Sequence, residues 1–272
     1  WLLVAGSVLL GFSMSFVAPS HFFTQRISID VIGAGGTGSY LLSYLAQIHY
    51  LLRMVGGNDN PFDVTVWDRD TVSETNVGRQ NFWPMDIGLP KAEVLVERIN
   101  NGFGTGWTAK CTNFSPSSYL KGDIVMTCVD SASFRYELGK NAAEESHYRD
   151  KLWIDGGNGQ HTGQIIMGHL GNTNKSDYLP NLYDLYGETL LESTEHAMPS
   201  CSHAESIRRQ DFGVNHTTAF QMANLVWQML RHGSVEYQGG FFNLKTGELN
   251  PIEPLENVWA AFGYEKDKNK EK

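Results

Sequence analysis

Cysteine is scarce in this chain. Cys111, Cys128 and Cys201 are the only three among 272 residues, and no two form a C-x-x-C pair. A disulfide-stapled scaffold and a four-cysteine zinc site are therefore excluded, so no zinc is expected, and the composition suits a reducing cytoplasm. Positive charge is also in short supply. Lys and Arg total 21 against 30 Asp and Glu, a net charge of −9. That argues against a general nucleic-acid binder, which needs a basic surplus, while leaving room for a local basic pocket. Charged residues make up 19% and apolar residues 41%, so disorder, collagen and coiled coil are excluded for the bulk of the chain. Proline- or serine-rich linkers and internal repeats are absent. The one long apolar run is residues 1–18, close to the length of a membrane span, but no Lys or Arg occurs before Arg26. Packing of that run on the domain is expected in preference to membrane attachment.

The rest of the chain alternates strand and helix signals. Ser28–Gly33, Asp63–Trp67, Trp107–Phe114, Asp123–Cys128 and Leu152–Asp155 read as strands. Helical spacing covers Ser39 to about Met54, Lys91–Asn101, and Ser131 to about Tyr148. This predicts an α/β fold, a Rossmann-like, mostly parallel sheet with helices on both faces. After Gly156 the pattern changes to a longer strand at Thr162–Leu170, a polar loop over 171–200, and helices at Ser202–Asp211 and Thr217–His232. A hairpin of Gly240–Leu244 and Glu248–Ile252 around Thr246-Gly247 adds antiparallel C-terminal strands. The expected organisation is an apolar segment over 1–25, one domain over 26–263, and a charged, disordered tail over 264–272.

Gly33, Gly35, Gly36 and Gly38 lie between the first of these strands and its helix and satisfy G-x-G-x-x-G. The first glycine permits a tight turn, and the others let backbone approach a phosphate at a helix N-terminus. This spacing does not separate a dinucleotide from ATP. Asp68, at the end of the second strand, stands where an acid would hold ribose hydroxyls.

A polar segment follows: Asp68-Arg69-Asp70-Thr71-Val72, then Asn76-Val77-Gly78-Arg79-Gln80, then Gly88-Leu89-Pro90-Lys91. With the glycine turn and Asp130 after the fourth strand, this ordered set over about Ser28–Gly157 resembles the E1-like ThiF/MoeB/HesA adenylation family. The Pro199-Ser200-Cys201-Ser202 and Arg209-Gln210-Asp211 stretches resemble the bacterial PRTRC-system members of that family. The resemblance implies ATP-dependent adenylation of the C-terminal carboxylate of a ubiquitin-like or sulfur-carrier protein ending in Gly. It implies ATP and Mg²⁺, a homodimer, an E2-like acceptor in some members, and no nucleic acid. It assigns phosphate contacts to Arg79 and Lys91, Mg²⁺ to Asp130, the ribose to Asp68, and supporting contacts to Asp70, Asn76 and Gln80. Two other readings stay open: an NAD(P)-binding oxidoreductase, and an E1-like scaffold without turnover.

Each residue also has a plainer reading. Arg79 could be a surface ion pair, Asp70 an exposed turn residue, Lys91 a solvated helix residue, and Asp130 the N-cap of the helix from Ser131. The family's Arg one helix upstream of the glycine turn has no counterpart, since only Arg26 precedes the turn. Cys201, opening an expected helix after Pro199, resembles the setting of a thioester-forming cysteine, with simple packing as the alternative. Cys111 and Cys128 are expected to be inert core thiols. The nine histidines form no metal-binding pattern.

Overall fold

The computed structural model describes residues 15–56, 61–145, 148, 150–171, 178–192 and 210–265. The elements in chain order are β1 (Phe16–Val17), β2 (Ile27–Ile32), α1 (Gly36–Gly56), β3 (Phe62–Trp67), α2 (Lys91–Phe103), β4 (Thr108–Lys110), β5 (Ile124–Thr127) and α3 (Ala132–Glu144). There follow β6 (Leu152–Asn158), β7 (Thr162–His169), α4 (Leu182–Tyr186), α5 (Thr189–Glu192), α6 (Val214–His232), β8 (Ser234–Val235), β9 (Gly239–Asn243), β10 (Glu248–Ile252) and α7 (Glu256–Ala260).

Eight strands make one sheet in the order β10-β9-β7-β6-β5-β2-β3-β4. Strands β6, β5, β2, β3 and β4 run parallel, and the pairs β6–β7, β7–β9 and β9–β10 are antiparallel. Burial explains the sequence signal. All four residues of β5 are buried, so no alternation survives, as expected for a strand covered on both sides. Helix α6 packs against α1 and across β6 and β7, and α3 packs against α4 and α5. The chain runs from β2 outward to β3 and β4, then returns to the other side of β2 as β5. Connections therefore leave the carboxyl ends of β2 and β5 in opposite directions and open a crevice there.

The expected elements recur with shifted ends. Helix α1 begins three residues early, at Gly36, because the glycine turn itself supplies its first turn. The third strand contracts to Thr108–Lys110 and the fifth lengthens to Asn158. Helix α3 stops at Glu144, short of Tyr148. The expected polar loop over 171–200 contains two short helices, α4 and α5. Asn181 starts the first, its Oδ1 accepting from the Tyr183 and Asp184 N–H groups at 2.8 and 3.1 Å. The helix expected at Ser202–Asp211 falls mostly outside the described residues, and Gln210 and Asp211 are not helical. Of the apolar segment over 1–25, Phe16, Ala18 and Phe22 are buried in the main core, and β1 pairs with β8. No described helix is long and apolar enough to cross a membrane.

One core residue ties the fold to pH. His49 on α1 is 1% exposed, packs edge-on against Phe62 and Trp107, and its Nδ1 is buried without a hydrogen-bond partner. Burial first, then the nearby Arg53 and Arg26, lowers its pKa to about 4. Below the ordinary value of 6.5, the unfolded chain takes up a proton that the folded chain refuses. Stability therefore falls as pH drops from 6.5 toward 4. The urea midpoint should decrease across that window in the wild type and decrease less in His49→Leu. Parallel profiles for the two proteins would contradict this.

Candidate functional site

The crevice is a cleft of about 670 Å³ lined by the glycine turn, the ends of β2, β3 and β5, and residues that close it from the C-terminal half. Its shape begins with two close approaches. Gly33 has a φ of +95°, and a Cβ there would lie 2.7 Å from the Cys128 carbonyl oxygen. A Cβ on Gly38 would collide with the Gly33 carbonyl oxygen. Gly38 is thus a packing residue and does not line the cleft. Gly35 and Gly36 do line it. At Gly35 a Cβ would meet nothing closer than Gln80 Nε2 at 3.9 Å, so this face of the turn is open. The N–H groups of the first turn of α1 have no intrahelical acceptor, and this end of the helix favours an anion.

Asp68 fixes the turn from β3. Its Oδ2 accepts from the Ala34 N–H at 2.6 Å and its Oδ1 from the Asp70 N–H at 2.8 Å. Each oxygen keeps a further lone pair, and Asp68 lines the cleft. Lys91 opens α2, yet it is only 6% exposed. It is no solvated helix residue: its Nζ donates to Asp70 Oδ2 at 3.3 Å, and both side chains line the cleft. Asp130 is exposed at the lip and does not cap α3. The cap is Ser131, whose Oγ accepts from the Phe134 N–H at 3.1 Å.

Arg79 and Gln80 sit on a segment held down by buried charge. Arg98 donates to Asp86 Oδ2 at 2.7 Å and to the Asn81 carbonyl at 3.0 Å, and its guanidinium lies 3.7 Å above the Trp83 ring. Asn76 works within this support. Its Oδ1 accepts from the Ser73 N–H at 2.9 Å, and it is buried away from the cleft. Arg79 is half-buried and donates to Gln210 Oε1 at 3.4 Å, so it is not a surface ion pair. Arg79 Nε and Gln80 Oε1 are buried without hydrogen-bond partners. Orphaned polar atoms on the wall of a cleft mark where a ligand or water completes the bonding.

Several lining residues were not among those expected. Asn215, on α6, donates to Gln210 Oε1 at 2.9 Å and accepts from Asn158 Nδ2 at 2.9 Å. Asn158 also donates to Thr37 Oγ1 at 2.6 Å and accepts from Thr218. Its amide bridges the first turn of α1 to the end of β6. Arg135, on α3, is paired with Asp155 on β6 at 2.8 Å. Four cationic side chains (Arg69, Arg79, Lys91 and Arg135) line the cleft against three carboxylates, in a chain of net charge −9. With Asp155 paired to Arg135 the local charges balance, so the cleft is less acidic than the chain as a whole.

Arg26 ion-pairs with Asp63 at 3.3 Å near the amino ends of β2 and β3, the opposite edge from the cleft. It cannot act as the missing upstream arginine. Cys128 follows β5 and lines the cleft, contrary to its expected place inside a strand. Burial, then the Asp155 charge, pushes its thiol pKa well up, and burial does the same to Cys111. Neither is poised as a nucleophile. Cys201 lies outside the described residues.

A second groove, of about 470 Å³, adjoins the first. It runs over β7, β9 and β10 and shares Arg135, Asn158 and Gly159 with the main cleft.

The chain is 25% identical over 208 residues to the NEDD8-activating enzyme E1 catalytic subunit of Saccharomyces cerevisiae, covering 72% of this chain and 63% of that protein. It is 32% identical over 121 residues to the adenylyltransferase and sulfurtransferase UBA4 of Yarrowia lipolytica, covering 42% of this chain and 27% of that protein. The chain thus spans less than two thirds of the length of either relative. Among solved structures, PaaA superposes with a TM-score of 0.59 at 11% identity, over 86% of this chain and 65% of that one. E. coli MccB with ATP superposes with a TM-score of 0.56 at 13% identity, over 84% and 63%. These two likenesses establish the fold. Residues 24–256 match the ThiF family, most of the chain, and the chain belongs to that family.

Proposed function

We propose that this protein is an E1-like adenylating enzyme. It would use ATP to activate the C-terminal carboxylate of a ubiquitin-like or sulfur-carrier protein ending in Gly. The observation that carries this reading is the convergence of Arg79, Lys91 and Asp130 on an open glycine turn at the sheet's switch point, with a second groove adjoining. The cleft residues fit a nucleotide. The open face at Gly35 admits phosphate, Asp68 keeps lone pairs for ribose hydroxyls, and the orphaned Arg79 Nε and Gln80 Oε1 await partners. Relatives support it through their names, and MccB has been solved with ATP.

In the reaction, a substrate carboxylate oxygen forms a bond to the α-phosphorus while the bond from phosphorus to the pyrophosphate oxygen breaks. The leaving group departs with that electron pair, and no proton moves. Both reactants are anions, so the protein's task is positioning and charge neutralisation. Arg79 presents a planar fork and Lys91 a point charge to phosphate oxygens. Asp70 holds the Lys91 ammonium at the cleft wall. Gln80 and Asn76 would act through the segment that carries Arg79. Asp130 would hold Mg²⁺ with phosphate oxygens. No cluster of three metal-ligating side chains occurs among the described residues, and Mg²⁺ characteristically takes one or two carboxylates plus phosphate. When bound, the metal neutralises charge on the leaving pyrophosphate. A homodimer, an E2-like acceptor and a cytoplasmic setting complete this reading by likeness to the family.

Arg79→Ala and Lys91→Ala should each lower carrier-dependent ATP–pyrophosphate exchange by roughly 10²-fold, as for loss of one preorganised electrostatic contact. Asp130→Ala should abolish it without altering the circular dichroism spectrum. Calorimetric titration should show ATP–Mg²⁺ binding in preference to NAD⁺. Unchanged exchange in all three variants, or NAD⁺ binding alone, would overturn the assignment.

Thioester capture on Cys201 is the second step we propose: the thiolate sulfur bonds to the acyl carbon while the bond from that carbon to the AMP oxygen breaks, and AMP leaves with the electron pair. Gln210, nine residues further on, lines the cleft, and nine residues can span at most about 30 Å. With ATP, Mg²⁺ and a small β-grasp carrier ending in Gly, the wild type should form a conjugate that dithiothreitol cleaves. Cys201→Ala should form none while still exchanging pyrophosphate. A conjugate that persists in Cys201→Ala would refute the thioester role.

A further inference from the structure

Arg135 and Asp155 form a charge pair that the adenylation reading does not use. Arg135 lies in the second turn of α3, and its side chain reaches across to β6. Its Nε donates to Asp155 Oδ1 at 2.8 Å and its Nη2 to the Gly156 carbonyl at 3.0 Å. The arginine side chain is 11% exposed and the aspartate side chain 1%. Asp155 Oδ1 also accepts from the Thr127 hydroxyl, which in turn accepts from Trp153 Nε1 at 2.8 Å. A four-residue chain across β5, β6 and α3 thus fixes one side of the guanidinium. Its Nη1 donates to no described residue.

Such a pair is poor value as a stability device. Desolvating two charges costs about as much as their attraction returns, and apolar residues of similar volume serve a core as well or better. Asp155 Oδ2 is even left buried without a hydrogen bond. Placement offers a better reason. Arg135 is one of three residues shared by the nucleotide cleft and the second groove. An anionic substrate entering by the groove meets this guanidinium where the two cavities adjoin. The chemistry there needs a cation that orients a carboxylate beside a phosphate. A guanidinium can bind one carboxylate oxygen by a charge-assisted hydrogen bond and leave the other to react.

We propose that Arg135 binds the carboxylate of the acyl substrate, and afterwards the acyl carbonyl of the adenylate, and that Asp155 is the positioning residue that aims it. This rests on the adenylation reading above.

The test uses the full chain and two nucleosides in calorimetric titrations. One is 5′-O-[N-(acetylglycyl)sulfamoyl]adenosine, a stable mimic of the acyl-adenylate. The other is 5′-O-sulfamoyladenosine, which lacks the acyl group. The readout is the ratio of their affinities, because a general loosening of the fold weakens both alike. The wild type should favour the acylated compound by about tenfold or more, the range for a hydrogen bond to a charged group. Arg135→Lys and Asp155→Asn should each lower that ratio by about tenfold; the rest of the preference, from the ionised acyl sulfamate beside Arg79 and Lys91, should remain. Arg135→Leu with Asp155→Asn removes both charges together, so no naked carboxylate is buried, and it should give the same fall with its thermal midpoint retained. A wild-type ratio that persists in the folded variants overturns the role of Arg135 and leaves the adenylation reading standing. Failure of the wild type to bind either nucleoside overturns both.

Discussion

The contact on which the site depends is the one between Gly33 and Gly38. The chain must leave the buried strand β2, reverse, and begin α1 within four residues. That brings the Gly38 Cα so close to the Gly33 carbonyl that no side chain fits, and it forces Gly33 into a positive φ against Cys128. Asp68 then clamps the same turn through the Ala34 N–H. The consequence is a helix N-terminus held over the switch point of the sheet, with open backbone at Gly35. The cations of the cleft are arranged around that fixed point.

The C-terminal half completes the site by polar contact. Asn215, Gln210, Asn158 and Thr37 form one linked set that joins α6, β6 and α1, and Arg79 donates into it. A Cβ on Gly36 would lie 2.5 Å from Asn215 Oδ1, so α6 is seated directly on the glycine turn. The cleft and the domain's second half therefore cannot shift independently. Cations from separate elements hold their spacing through hydrogen bonds as well as through the apolar core.

Much of this was legible in the sequence, for physical reasons. Strand β5 announces itself as an apolar run, Ile124–Met126, because both of its faces are covered. The glycine turn, Asp68, Arg79, Lys91 and Asp130 carry a recognisable order. What was not legible depends on tertiary contact. Lys91 reads as a solvated residue until Asp70 is seen beside it. Asn76 and Gly38 belong to the motif but act as support, because local turn geometry consumes the amide of one and the missing Cβ of the other. Arg135, Asn158 and Asn215 have no local signature. They are ordinary residues of a helix or strand until the sheet brings β6 and α6 to the mouth of the cleft.

The central claim is that a substrate carboxylate attacks the α-phosphorus of ATP in this cleft. Oxygen labelling tests it most directly. A carrier ending in Gly, with oxygen-18 in its terminal carboxylate, is incubated with the protein, ATP and Mg²⁺, and the adenylate is then discharged to an amine. The account predicts AMP containing one oxygen-18 atom, since the carboxylate oxygen stays with phosphorus when the acyl group departs. AMP formed without the label would contradict it.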